Sequence, residues 1–259
     1  MMFATLNGIT HHYFYRPGTG VPVVFLNSLG TDLRIWDKVI DRLPSQTPVL
    51  CLDKRGHGLS DDGPITMDRL IDDVAALALH LDLPPALICG VSVGGQIAQG
   101  FAAAYPAQVS ALMLCCTGAK IGDAESWNAR IESVRKSSIA ALSDAILERW
   151  FSPSFQATRS AERAGYRNML TRTSAAGYSG VCAAIRDSDL TTRAGAITVP
   201  TVCIAGSEDR ATPPELVRAL AQIIPDASYR LVPGCGHLPC IENPKIVSDL
   251  LEDLMEKIS

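Results

Sequence analysis

The chain has 259 residues, 47% of them apolar and 19% charged, and carries a net charge of −4. That size and composition suit one α/β domain with a modest insertion and a well-filled core, and they exclude a disordered or fibrous chain. No segment concentrates Lys and Arg, which excludes a nucleic-acid footprint, although the weak acidic balance leaves an anionic substrate open.

Along the chain, Asn7-Gly8 stands between two short alternating stretches and predicts a β-hairpin. Val21–Ser28 reads as a buried strand, Ile35–Leu43 as a short helix and Val49–Asp53 as the next strand. Met67–Leu81 carries Leu70, Val74, Leu77 and Leu81 at helical spacing and stops at Leu83-Pro84-Pro85. Ala86–Val91 predicts a strand ending at Ser92, Gly94–Tyr105 a helix closed by Pro106, and Val109–Cys116 another strand. From about 120 to 195 only helical patterns appear, with Trp127, Ile131 and Val134 on one stripe and Leu142, Ile146 and Trp150 on another. Alternation then returns with strand Thr201–Gly206, helix Pro213–Ile224, strand Ser228–Val232 and a closing helix Pro244–Ile258. Strands alternating with helices imply a mainly parallel twisted sheet with helices on both faces. The expected organisation is a core of residues 1–119 and 196–259 with a helical cap at 120–195.

Residues 90–94 read Gly-Val-Ser-Val-Gly between a predicted strand and a predicted helix. That context describes a nucleophile elbow, which lifts Ser92 above the carboxyl end of the sheet. A serine hydroxyl needs a base, and histidine is the usual one. With the chain order serine, acid, histidine, only His237 among the five histidines follows Ser92. The acid should leave a late strand, and Gly206-Ser-Glu-Asp209 does so. Asp209 is the choice and Glu208 the alternative; Asp187 and Asp189 read as solvated or helix-capping. An oxyanion hole needs two backbone N–H groups, expected from Val93 and from Leu29 in the loop Asn27-Ser-Leu-Gly30. His57, in Asp53-Lys-Arg-Gly-His57-Gly-Leu-Ser60, reads as part of a loop network beside the site. His80 reads as a surface residue, and His11 and His12 do not form a metal pair.

No apolar run reaches a membrane span. The opening Met-Met-Phe-Ala-Thr-Leu-Asn-Gly lacks the features of a secretory signal, so a cytoplasmic protein is expected. Cys51, Cys89, Cys115, Cys116 and Cys203 sit in apolar strand-like runs, and no Cys-x-x-Cys occurs. Zinc sites, dithiol chemistry and structural disulfides are therefore not expected.

Five motifs together resemble the α/β-hydrolase superfamily: Asp53-x-Arg55-Gly56-x-Gly58-x-Ser60, Gly90-Val-Ser92-Val-Gly94, Gly206-Ser-Glu-Asp209, Gly236-His237 and Glu242-Asn-Pro244. Within it, Leu26-Asn-Ser-Leu-Gly-Thr-Asp32 followed by Trp36 is similar to the 3-oxoadipate enol-lactonases, as are Arg149-Trp-Phe151, Gly177-Tyr-Ser-Gly-Val-Cys-Ala-Ala-Ile185 and Asp189-Leu190. The resemblance implies an α/β-hydrolase fold. It also implies hydrolysis of the enol-lactone to 3-oxoadipate in the β-ketoadipate pathway, with no metal or organic cofactor. Such a substrate bears a carboxylate and calls for a cationic partner. Arg130 follows Trp127 by one helical step, and Trp127, Arg130 and Trp150 are the expected substrate-binding residues. A general carboxylesterase or perhydrolase, a carbon–carbon bond hydrolase and a non-catalytic ligand receptor remain alternatives on the same scaffold.

Overall fold

The computed structural model describes residues 2–258. The N-terminal hairpin pairs β1 (Met2–Leu6) with β2 (Ile9–Arg16) through Asn7 and Gly8. Both turn residues have positive φ, 51° and 79°, which matches the right-handed twist of the flanking strands. Strand β3 (Val23–Leu26) leads to a 3-10 turn at Leu33–Trp36, α1 (Asp37–Ile40) and β4 (Val49–Leu52). The expected helix at Ile35–Leu43 is thus shorter and begins earlier, because the Asp32 carboxylate caps the Arg34 N–H and starts the turn there.

Next come α2 (Met67–His80), β5 (Ala86–Val91), α3 (Val93–Ala104) and β6 (Val109–Cys115). Residues 124–195 then hold α4 (Ala124–Lys136), α5 (Ile139–Trp150), α6 (Pro153–Thr158), α7 (Ser160–Thr171), α8 (Ala175–Arg186) and α9 (Thr191–Gly195). The chain closes with β7 (Thr201–Gly206), α10 (Pro214–Ile223), β8 (Ser228–Val232), a short α11 (Pro239–Glu242) and α12 (Pro244–Ile258). No helix among the described residues is long and apolar enough to cross a membrane.

The sheet has eight strands in the order β1-β2-β4-β3-β5-β6-β7-β8. From β4 to β8 the pairing is parallel, and the hairpin adds the antiparallel edge. Strands β3, β4, β5 and β7 are buried at every position, as expected of strands covered on both faces. Helices α1, α11 and α12 pack together against one face, while α2, α3, α9 and α10 form the second group. All eight cysteines are buried free thiols, and they serve as small apolar fillers.

Helix α3 lies so close to the sheet that Gly94 has no room for a side chain. A Cβ there would sit 2.1 Å from the Leu26 carbonyl oxygen. Helical Gly165, by contrast, is exposed and faces open space. Gly94→Ala is therefore expected to destabilise the protein by about 1–3 kcal/mol. Gly165→Ala is expected to stabilise it by about 0.5–1 kcal/mol. Equilibrium denaturation of the two variants beside the parent measures both, and a Gly94→Ala protein of unchanged stability would contradict the packing described.

Candidate active site

Ser92 occupies the turn between β5 and α3 with φ 59° and ψ −122°, a region that an L-residue enters only under constraint. Its N–H donates to Cys115 O at 3.0 Å, and its own carbonyl accepts Thr117 Oγ1 at 2.7 Å and Gly95 N–H at 2.9 Å. Ser92 is the N-cap residue of α3, whose first N–H groups have no acceptor within the helix. Val93 is the first of these residues.

Asp209 follows β7 and His237 follows β8, and adjacent parallel strands bring the two loops together. His237 Nδ1 lies 2.9 Å from Asp209 Oδ2. An ionised carboxylate only accepts, so Nδ1 carries a proton, and the neutral imidazole tautomer this favours keeps its lone pair on Nε2. Asp209 Oδ1 accepts the Ala211 and Thr212 N–H groups at 2.7 and 2.9 Å, and Oδ2 accepts Thr212 Oγ1 at 2.7 Å. Burial alone would raise the Asp209 pKa, but His237 and the Thr212 donors hold it below the usual carboxylate value. Glu208, the alternative acid, is exposed.

His237 is also tied to the helical segment. Its N–H donates to Trp150 O at the end of α5, at 2.8 Å. Glu242, on α11, accepts from Gly236 N–H at 3.0 Å and from both the N–H and hydroxyl of Ser152, at 3.1 and 2.5 Å. Burial raises the Glu242 pKa against these donors.

The loop after β3 folds back on itself. Asn27 Nδ2 donates to Thr31 O at 2.7 Å, and Thr31 Oγ1 to Ser28 O at 3.0 Å. His57 Nε2 accepts the Gly30 N–H at 3.0 Å. Burial first, and the nearby Lys54 charge second, push the His57 pKa well down, so this imidazole stays neutral and able to accept. His57 therefore braces a loop, in keeping with its position in the sequence. Among the described residues no acceptor takes the Leu29 N–H. His12 and His11, on β2, face Asp53 and Asp73 respectively, at 2.7 and 3.5 Å. His80 is exposed, Asp187 pairs with Arg186, and Asp189 caps Thr191.

Ser92, Leu29 and His237 line one cavity of about 130 Å³ with Ile121, Trp127, Arg130, Ile146, Arg149, Trp150 and Tyr178. Among the described residues no hydrogen bond joins the Ser92 hydroxyl to the imidazole, and the two groups share the cavity wall. Trp127 donates its indole N–H to Ile121 O at 2.6 Å, leaving only ring surface for a ligand. Arg130 Nη1 donates to the buried Tyr178 hydroxyl at 3.2 Å. Partial desolvation, then the charge of Arg130, lowers the Arg149 pKa although much of that residue is exposed. Arg149 was not singled out as a ligand residue by the sequence; its place beside Trp150 at the end of α5 was the available signal. Neither arginine has a carboxylate partner among the described residues. The larger cleft, about 650 Å³ between β2, β4 and α7, holds none of the expected site residues.

Cys116, Asp209 and His237 offer donor atoms within 4.8 Å of one another. Burial and then the Asp209 charge raise the Cys116 pKa well above its usual value. The imidazole and carboxylate already satisfy each other, so this donor set suits a hydrogen-bonded pair better than a metal ion.

Residues 23–250 match the model of the alpha/beta hydrolase family. The chain is 31% identical to 3-oxoadipate enol-lactonase 2 of Acinetobacter baylyi over 92% of its own length and 89% of that protein. The enol-lactonase of Burkholderia xenovorans LB400 superimposes with a TM-score of 0.94 at 34% identity, covering 98% of this chain and all of that one (100%). A thermophilic esterase from Thermogutta terrifontis gives 0.91 at 26% identity, covering 99% and 98%.

The depressed Asp209 pKa has a consequence for stability. The contribution is present in full above the ordinary carboxylate pKa of about 4. It is lost as pH falls through the lower folded value, where the native carboxylate at last takes up its proton. Asp209→Asn should therefore be less stable than the parent at neutral pH, with the gap narrowing below about pH 4. Thermal unfolding across pH 3–7 measures this, and a constant gap would contradict it.

Proposed function

The chain belongs to the alpha/beta hydrolase family, and we propose that it hydrolyses a small carboxylate-bearing lactone, namely 3-oxoadipate enol-lactone to 3-oxoadipate in aromatic catabolism. One observation carries this reading: Ser92 and His237 share a cavity with two arginines that lack a carboxylate partner among the described residues. Its relatives include enol-lactonases.

In the proposed reaction His237 Nε2 takes the Ser92 proton as Oγ attacks the lactone carbonyl, and the serine–histidine hydrogen bond closes as substrate binds. Asp209 holds the imidazole in the required tautomer and stabilises its cation. The Leu29 and Val93 N–H groups receive the oxyanion. The ring opens with an enolate as leaving group, which His237 protonates. Water activated by the same imidazole releases the acyl group from Ser92. The freed enol relaxes to a ketone, which disfavours reclosure. The helices of 120–195 act as the cap, with Trp127 and Trp150 as apolar walls. Arg130, with Arg149 beside it, receives the carboxylate of the substrate.

Ser92→Ala should lower turnover by roughly 10⁴-fold or more while the protein stays folded. Arg130→Ala should raise KM for the enol-lactone about tenfold and leave KM for a neutral aryl ester within about twofold. Spectroscopic loss of the enol-lactone, run beside a panel of neutral esters, measures both. Equal turnover of neutral and anionic substrates by the parent, with Arg130→Ala affecting both alike, would replace the lactonase reading with that of a general esterase.

A further inference from the structure

The loop that carries Leu29 is wrapped around a buried lysine side chain. Lys54 follows β4 and is 3% exposed. Its Nζ donates to the Ser28 carbonyl at 2.5 Å, with Asn27 Oδ1 and the Thr31 carbonyl both at 3.3 Å. All three acceptors lie within residues 27–31, so the three donors of one ammonium gather the whole turn.

The shortest of these bonds goes to the peptide unit that matters. The Ser28 carbonyl and the Leu29 N–H belong to the same amide group. Among the described residues every peptide is trans, and a trans peptide is planar with its C=O and N–H pointing in opposite directions. Holding the Ser28 oxygen toward Lys54 turns the Leu29 N–H away from Lys54. Leu29 and Ser28 line the cavity with Ser92, whereas Lys54 does not. When protonated, Lys54 also draws electron density through the amide and makes its N–H a stronger donor.

We propose that Lys54 is a positioning residue that aims and polarises the Ser28–Leu29 peptide from behind, so that the Leu29 N–H can receive an oxyanion. The inference rests on the hydrolase reading given above. Lys54 does not touch the substrate; it acts through one amide.

Its surroundings favour this role over one in packing. Burial pushes the Lys54 pKa down to about 7 against the attraction of Asp53 and Asp32. Neither carboxylate forms an ion pair with it among the described residues. Asp32 is held by Arg34 at 2.9 and 2.5 Å. Asp53 is held by His12 at 2.7 Å and by the Leu33 and Leu59 N–H groups at 2.8 and 2.9 Å. The third titratable neighbour, His57, is kept neutral partly by the Lys54 charge and so accepts the adjoining Gly30 N–H. An apolar side chain would fill the same space without the cost of desolvating a cation.

The test compares the parent with Lys54→Met and Lys54→Gln. It follows steady-state hydrolysis of the enol-lactone and of a neutral aryl ester, thermal unfolding, and inhibition by a trifluoromethyl ketone, whose adduct with Ser92 places an oxyanion in the same position. Lys54→Met should lose about 10- to 100-fold in kcat with KM within threefold. Affinity for the ketone should fall in parallel with kcat/KM. Lys54→Gln, which keeps a neutral donor, should fall between the two. A folded Lys54→Met with kcat within twofold of the parent, a loss confined to KM, or unchanged ketone affinity overturns the inference. If Lys54→Met does not fold, Lys54→Gln decides on the same measures. A parent protein that turns over no ester or lactone removes the hydrolase reading and this inference with it. A parent with normal turnover beside an unimpaired Lys54 variant removes the inference alone.

Discussion

A serine backbone at φ 59° and ψ −122° is unfavourable in isolation, and the centre of the molecule is arranged to hold it there. The amide is fixed to β6 through Cys115, and the carbonyl is fixed by Thr117 just beyond that strand. Helix α3 must begin at once after the serine, and it can do so only because Gly94 sits directly against the backbone of β3. That contact sets the spacing between helix and sheet. The spacing in turn places the first turn of α3 next to the loop after β3. Strain at a single residue is thus distributed over three adjacent parallel strands, which together resist its relaxation.

The second arrangement joins layers that are far apart in sequence. The His237 loop bonds to Trp150 O, and Glu242 spans the same gap by collecting the Ser152 and Gly236 donors. The imidazole is therefore located by its carboxylate on one side and by the end of α5 on the other. A movement of α5 would carry Trp150 and Arg149 with it and would disturb the histidine directly. Cavity shape and imidazole position are mechanically linked through a few hydrogen bonds.

Much of this was readable from residue order. Four strands, β5, β7, β8 and β6 to within one residue, and the helices around them follow from unbroken apolar runs punctuated by glycine and proline. Chain order selected Asp209 and His237, and the two lie in hydrogen-bond contact. Other features depend on distances that periodicity does not encode. Glu242 is only part of a motif until α11 turns its carboxylate onto Ser152, ninety residues away in the chain. Arg149 looks like a solvated helix-end cation until the cavity brings it near Arg130. The start of the helical stretch, at the 3-10 turn Leu33–Trp36, was misplaced because a capping carboxylate, Asp32, outweighs the apolar spacing that follows it. His11 and His12 gave no sign of burial, since alternation along a strand does not say which carboxylates wait on either face.

At one of the places where the helical segment meets the core, no side chain can stand between the two main chains. Gly177, at the start of α8, lies against Gly56 so closely that a Cβ on Gly177 would sit 2.1 Å from the Gly56 oxygen, and one on Gly56 would sit 2.4 Å from the Gly177 Cα. Two main chains in contact leave nothing that can be trimmed or repacked. Evolutionary change or laboratory grafting of this segment is therefore channelled. Residues facing the cavity can be exchanged one by one, but a transplanted segment must bring its glycine to meet a glycine already present in the recipient.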